Sequence, residues 1–265
     1  MSQPFVVGCD LDGVIWRGDT PVAGAAGAVD ALRAAGFRVA FLTNNSSNPV
    51  AAVAEKLARF GIDASLDDIA SSAQAAAALL GSELEPGARV LVCAGAGVVE
   101  AMTAGGFEVV REGPADAVVV GWHRDFDFEG MRRAADAIRA GARYVATNLD
   151  PTYPTADGLV PGAGSIAAAV TTASGRTPLV AGKPEAATVA LVRERFGKIG
   201  VMVGDRPSTD GALADALGWP FALVLSGVAG SKGEEPVPEP EPPFVAADFA
   251  ALAPRLIAEF GAPAP

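Results

Sequence analysis

A short apolar run, Pro4 to Cys9 (PFVVGC), stops abruptly at Asp10-Leu11-Asp12-Gly13, and that juncture recurs along the chain. Arg38 to Leu42 (RVAFL) stops at Thr43-Asn44-Asn45-Ser46-Ser47. Leu179 to Ala181 stops at Gly182-Lys183-Pro184, and a last run ending at Val203 stops at Gly204-Asp205-Arg206-Pro207-Ser208-Thr209-Asp210. Runs this short, with no polar alternation, read as strands buried on both faces. Between the first two runs and after the second lie segments with helical spacing, Ala25 to Ala35 and Val50 to Phe60, closed by Gly36 and Gly61. Strand-helix-strand-helix order predicts an α/β chain with a parallel sheet covered by helices on both faces.

The alternation continues. Arg89 to Cys93, Ala117 to Gly121, Arg143 to Thr147, Ile199 to Val203 and Phe221 to Leu225 read as strands. Glu129 to Ala140, Ile166 to Ala173, Ala186 to Phe196 and Asp210 to Leu217 read as helical segments. Phe244-Val245 and Phe249 to Ile257 supply a last strand and helix. Glu234 to Pro243 (EEPVPEPEPP) alternates proline with glutamate, which favours extended backbone and bars it from a sheet interior. It reads as a solvated surface loop.

Composition removes several classes of function. Half of the 265 residues are hydrophobic and 19% are charged, which is the wrong balance for a disordered chain. Twenty Lys and Arg against 31 Asp and Glu give a net charge of -11, so a nucleic-acid footprint or docking on an anionic membrane is not expected. The single histidine, His123, excludes His clusters. The two cysteines, Cys9 and Cys93, cannot build a structural zinc site and read as reduced core residues. No run approaches the ~18 apolar residues of a membrane span, and the start of the chain lacks a secretory pattern, so a cytoplasmic location is expected.

The chemistry gathers at the strand ends, where open α/β sheets bind ligands. Asp10 and Asp12 repel each other unless a cation or shared proton intervenes. Mg2+ suits them, being a hard ion held by one or two carboxylates plus phosphate oxygens and waters. Thr43 with the amides of Asn44 and Asn45 forms a donor set for an anion, or a simple helix cap. Lys183 can neutralise a phosphoryl group or an aspartate. Asp205 and Asp210 bracket the last loop. Each motif alone is weak; four strand-end loops converging on one edge are not.

In that order and spacing the sequence resembles the haloacid dehalogenase superfamily of phosphatases, closest to its NagD-like, nitrophenylphosphatase and phosphoglycolate phosphatase branch. The marks are DLDGVIW at 10–16, FLTNNSS at 41–47, AIRAGARYVATNLDPTYPTADGLVPGAGS at 137–165, VAGKP at 180–184 and GDxxxTD from 204. The resemblance implies a Rossmann-like doubly wound core at 1–80 and 181–265, with an inserted α/β cap at 81–180 that selects substrate. It implies a Mg2+-dependent phosphatase for a small-molecule phosphate ester such as phosphoglycolate, glycerol phosphate, a sugar phosphate or a nucleoside monophosphate, with a homodimer through the cap.

It further implies that Asp10 is the nucleophile forming an aspartyl phosphate. Asp12 is the acid and base. Asp10, the Asp12 backbone carbonyl and Asp205 hold the metal, with Asp210 in support. Thr43, Asn44, Asn45 and Lys183 bind the phosphoryl oxygens. Asn148, Asp150 and Tyr153 in the cap loop NLDPTYP contact the substrate. One departure stands out: the branch's usual run is close to GDRLDTDI, whereas this chain has GDRPSTDG, with Ser208 in place of an acid. A catalytically silent phosphate-binding or regulatory protein on the same fold is the other reading. Loss of Asp10 or Asp12 would mark it, and both are present. A dinucleotide site at Gly95-Ala96-Gly97 fails because Glu100 stands at the third glycine position.

Overall fold

The computed structural model describes residues 5–155, 158–229 and 235–261. Pro4 and Glu234, assigned above to the first strand and the Pro/Glu segment, lie outside them, as do Ala156 and Asp157 of the cap stretch. The chain forms two compact units, one of residues 1–43, 54–70 and 192–265, the other of 44–53 and 71–191. The second unit spans 81–180, the residues expected to form a cap, together with 44–53, 71–80 and 181–191, expected with the core.

The first unit is built on a six-stranded sheet ordered Phe244–Ala246, Phe221–Val224, Gly200–Gly204, Val6–Cys9, Arg38–Thr43, Ile69–Ser71. The four pairings from Phe244–Ala246 across to Arg38–Thr43 are parallel. Val6–Cys9 and Gly200–Gly204 are buried at every position, as expected of central strands covered on both faces. The helix Ala25–Ala34 buries Ala25, Ala28, Val29 and Leu32, an i, i+3, i+4, i+7 stripe, and packs on Phe249–Phe260. Gly36 ends it with φ 87°, a backbone conformation that a side chain would strain.

Strand order matters for the site. From Val6–Cys9 the chain winds outward through Arg38–Thr43 to Ile69–Ser71. From the adjacent Gly200–Gly204 it winds the opposite way, through Phe221–Val224 to Phe244–Ala246. The winding reverses between the two central strands, and loops leaving such a pair diverge to open a crevice at their carboxyl ends. The register sets Cys9 opposite Val203. Asp10 and Asp205 therefore emerge at that reversal.

The second unit has a five-stranded sheet ordered Leu179–Val180, Arg143–Ala146, Ala117–Val120, Arg89–Cys93, Glu108–Val110, parallel throughout. Phe128–Arg139 and Ala163–Ser174 pack together over Leu91, Val118, Val120, Tyr144 and Ala146. Asp127 caps the first of these helices through Gly130 N–H. Ser72–Gly81 and Ala96–Ala104 form a second helical pair. Thr152–Thr155 and Gly158–Pro161 make an antiparallel hairpin. The doubly wound α/β class is as predicted, with one correction. Three of the four chemical loops leave the first sheet, whereas Gly182-Lys183-Pro184 follows the edge strand of the second. The two-residue strand Leu179–Val180 pairs with Arg143–Ala146, and its shortness hid that choice of sheet.

Among the described residues, no helix is long and apolar enough to cross a membrane. Both cysteines are buried and unbridged. Burial pushes the Cys93 thiol up to about 11, because a thiolate there would lose its hydration. Iodoacetamide at neutral pH is therefore expected to leave both thiols intact in the folded protein and to label both after unfolding, as intact-mass spectrometry reads. Labelling of either in the native state would contradict this packing.

Candidate active site

The acids emerging at the sheet reversal are concentrated into a small volume. Asp10, Asp205 and Asp210 each present a carboxylate oxygen within 4.8 Å of the others, and all three residues are buried. At an effective dielectric of about 20, two unit charges that close repel by about 3.5 kcal/mol. Three such pairs rival the whole stability of a domain, so the cluster requires a cation or protons. Clustered oxygen donors without nitrogen or sulfur suit a small hard divalent ion.

The surrounding backbone fixes these acids. Asp10 N–H donates to Val203 C=O at 2.9 Å, continuing the ladder one residue past the strand. Asp205 Oδ2 accepts from Val228 N–H at 2.6 Å, and its carbonyl accepts from Ala229 N–H at 3.0 Å. Asp210 Oδ2 accepts from Arg206 N–H at 3.1 Å. The glycines here clear space. A Cβ at Gly13 or Gly227 would collide with the Asp205 carboxylate, and one at Gly204 with Asp210. Asp210, expected at the start of a helix, sits in a wide turn, Pro207–Gly211, ahead of Ala212–Leu217. That turn bends its carboxylate back over Gly204.

Asp12 is half-buried and held from one side. Trp16 Nε1 donates to its Oδ1 at 3.0 Å, so the indole fixes the plane of the carboxylate. Trp16 is itself braced by the Phe60 ring at 5.9 Å and by Lys56 Nζ, 4.3 Å above its face. Lys56 also donates to Gly18 C=O at 2.7 Å. Ser226 Oγ donates to Gly13 C=O at 2.6 Å, while the Ser226 carbonyl accepts from Arg17 Nε. Sequence reading missed Trp16 and the 226–229 loop. The tryptophan stood four residues after Asp12; the loop carried no chemical signal.

Thr43 is the buried last residue of its strand in the first unit. The next residue, Asn44, is the hub of the second unit. Its Oδ1 accepts from Lys183 N–H at 2.8 Å, and its Nδ2 donates to Lys183 C=O at 3.3 Å and to Asp150 Oδ2 at 3.4 Å. Its carbonyl accepts from Ser72 Oγ at 2.6 Å and Asn148 Nδ2 at 2.7 Å. Asn148 Oδ1 accepts from Asp150 N–H at 3.0 Å, a turn closed by the side chain. Asn45 Oδ1 accepts from Ser47 N–H and Oγ, and its Nδ2 donates to the Tyr153 hydroxyl at 3.3 Å. The Tyr153 ring packs against Trp122 in a tilted arrangement, with centroids 4.9 Å apart. Gly182 sits where a Cβ would strike the Thr147 carbonyl and lie 2.6 Å from Asn44 Oδ1. His123 rests its Nδ1 against Gly121 C=O.

The structure thus brings the sequence-predicted residues together in two groups: Asp10, Asp205 and Asp210 in the first unit, and Asn44, Asn45, Asn148, Asp150 and Lys183 in the second. Asn44→Ala would strip a buried Lys183 N–H of its acceptor, at a cost of about 1–3 kcal/mol. Urea unfolding is expected to show that loss, and an unchanged midpoint would contradict the hub.

Residues 7–108 match the model of the haloacid dehalogenase-like hydrolases, and residues 180–252 match a second model described as HAD-hydrolase-like. The D-glycerol 3-phosphate phosphatase of Mycobacterium tuberculosis is 44% identical over 223 residues, 83% of this chain. The chain spans 62% of that protein's length. The crystal structure of the M. tuberculosis glycerol phosphate phosphatase in complex with magnesium aligns over 94% of this chain and 76% of its own, with a TM-score of 0.83 and 39% identity. The p-nitrophenyl phosphatase from Archaeoglobus fulgidus aligns over 96% and 100%, with a TM-score of 0.85 and 30% identity. The chain belongs to the haloacid dehalogenase-like hydrolases, in the NagD-like and 4-nitrophenylphosphatase branch of phosphatases.

Proposed function

We propose that the chain is a Mg2+-dependent phosphatase that hydrolyses the monophosphate of a small polyol, glycerol phosphate foremost, through an aspartyl phosphate on Asp10. The buried triad Asp10, Asp205 and Asp210 carries the reading, because its clustered oxygens fit a hard divalent ion that would offset their mutual repulsion. Asp10, the Asp12 carbonyl and Asp205 would hold Mg2+, with Asp210 in support. Bound there, Mg2+ offsets the repulsion between a carboxylate nucleophile and a phosphoryl anion.

The remaining steps belong to the chain's own groups. A carboxylate oxygen of Asp10 attacks phosphorus as the P–O bond to the alcohol breaks. Asp12 gives its proton to the departing alkoxide. Asp12 then takes a proton from a water that attacks the aspartyl phosphate, freeing phosphate and restoring Asp10. Trp16 serves this exchange by keeping the Asp12 carboxylate in one plane. Thr43, the backbone amides of Asn44 and Asn45, and Lys183 are assigned to the phosphoryl oxygens, where charge builds.

For the alcohol portion, Asp150 is the discriminating residue. A carboxylate accepts from a hydroxyl and repels a second anion, which favours glycerol or sugar phosphates over phosphoglycolate. Asn148 spends its amide on Asn44 and its carbonyl on Asp150, so its part is to aim Asp150. The similarity to the mycobacterial D-glycerol 3-phosphate phosphatase supports the same preference.

Phosphate release should be measured over glycerol phosphates, sugar phosphates, phosphoglycolate, nucleoside monophosphates and p-nitrophenyl phosphate, with Mg2+ and with EDTA. EDTA is expected to abolish turnover, and Asp10→Asn to lower kcat by roughly 10³-fold or more. Asp12→Asn is expected to lower kcat by about 10²- to 10⁴-fold, the range for a lost proton transfer. Wild-type turnover by Asp10→Asn would overturn the mechanism. Asp150→Ala is expected to reduce the preference for glycerol 3-phosphate over phosphoglycolate by about tenfold, the worth of one charge-assisted hydrogen bond. Unchanged selectivity would remove Asp150 from the substrate site.

A further inference from the structure

The loop that carries Asp205 and Asp210 is gripped from a distance by one carboxylate. Ser208 N–H donates to Glu235 Oε2 at 3.0 Å, Ser208 Oγ to Glu235 Oε1 at 2.6 Å, and Arg206 Nη1 lies 3.3 Å from Oε1. The Arg206 and Glu235 side chains are only 14% and 21% exposed, so this is not an ordinary surface ion pair. The turn Pro207–Gly211 needs such a partner, because N–H groups opening a helical turn have no acceptor within it. Arg206 N–H is taken by Asp210 and Ser208 N–H by Glu235.

The same segment holds the other side of the loop. Ala229 forms a bridge with Glu235, and Ala229 and Val228 donate to the carbonyl and carboxylate of Asp205. The chain on either side of 230–234 thus grips Asp205 at one end of the loop and Ser208 further along it. Pro236 and Pro238 stiffen the backbone directly after Glu235, which limits how far its carboxylate can wander. Position 208, an acid in the branch's usual run, is serine here, and its carboxylate arrives from residue 235 instead.

Resting on the phosphatase reading, we infer that Glu235 is a positioning residue for the metal loop and sets the affinity for Mg2+ without touching the ion. Both Glu235 oxygens are engaged by the loop, and Arg206 neutralises a charge that would otherwise add to three neighbouring acids. This assigns the Pro/Glu segment a task that its composition did not announce.

Isothermal titration calorimetry with Mg2+ tests the inference without turnover, on the wild-type chain, Glu235→Gln, Glu235→Ala and the double variant Glu235→Ala with Ser208→Asp. Loss of the Glu235 charge is expected to weaken Mg2+ binding about tenfold, the lower end for groups that orient ligands. The Mg2+ concentration for half-maximal phosphate release should rise by the same factor, with the KM for ester at saturating Mg2+ moving less than about twofold. Ser208→Asp is expected to restore most of the affinity by returning a carboxylate beside Arg206. If Glu235→Ala does not fold, Glu235→Gln carries the comparison. A lowered melting temperature with unaltered Mg2+ affinity would make Glu235 a structural brace and overturn the inference. A wild-type chain that binds no Mg2+ would overturn both this inference and the phosphatase reading, whereas wild-type binding matched by the variants would overturn only this one.

Discussion

Mutual repulsion among three buried carboxylates is the constraint around which the first unit is arranged. Asp10, Asp205 and Asp210 are brought within 4.8 Å of one another out of contact with bulk water, where each pair costs about 3.5 kcal/mol if ionised and uncompensated. A flexible scaffold would let them separate. The two central parallel strands do not: their ladder runs in register to Cys9 and Val203, and Asp10 N–H extends it one step further. Fully buried apolar strands give that ladder its stiffness, so the least polar residues of the chain hold its most polar ones together. A divalent ion bound among these oxygens would offset that repulsion.

Space is managed as carefully as charge. Gly13, Gly204 and Gly227 lie where any side chain would strike Asp205 or Asp210. Their absence of a Cβ lets the backbone approach each carboxylate closely enough for Val228 N–H to reach Asp205 at 2.6 Å. Main-chain donors thus help to aim the Asp205 carboxylate. The nearby arginine, Arg206, is turned to Glu235 instead.

The sequence announced these acids because each stands directly after an apolar run, and the period of such runs reveals strand ends. It announced Ala25–Ala34 because leucine and valine mark one face against charged residues on the other. It did not announce Ser72–Gly81 or Ala96–Ala104, because alanine fills both faces of those helices and no face contrasts with the other. The sheet joined by Leu179–Val180 was hidden for another reason. Two residues cannot specify a pairing partner; the tertiary context does. Trp16 is a buried residue whose indole N–H also reaches Asp12, a contact that depends on how the turn at Gly13 is wound. Glu235 was buried in a low-complexity segment whose composition says surface, and only the folded chain brings it to Ser208.

On the proposed reading, a chain of net charge -11 must still attract an anionic ester, and would do so by local means. The general field of such a surface repels phosphate, so capture would rest on local positive charge, supplied in the first unit by a divalent ion on three acids. The surplus of acids is then an asset in selection. An ester with one phosphoryl group could place all of its charge on that cation, while a second anionic group would find no such partner among the surplus acids. Hydroxyl groups meet no such barrier and gain an acceptor. On the proposed reading, the acidic composition that argues against nucleic acid would also narrow the ester, toward alcohols that carry hydroxyls and no further charge.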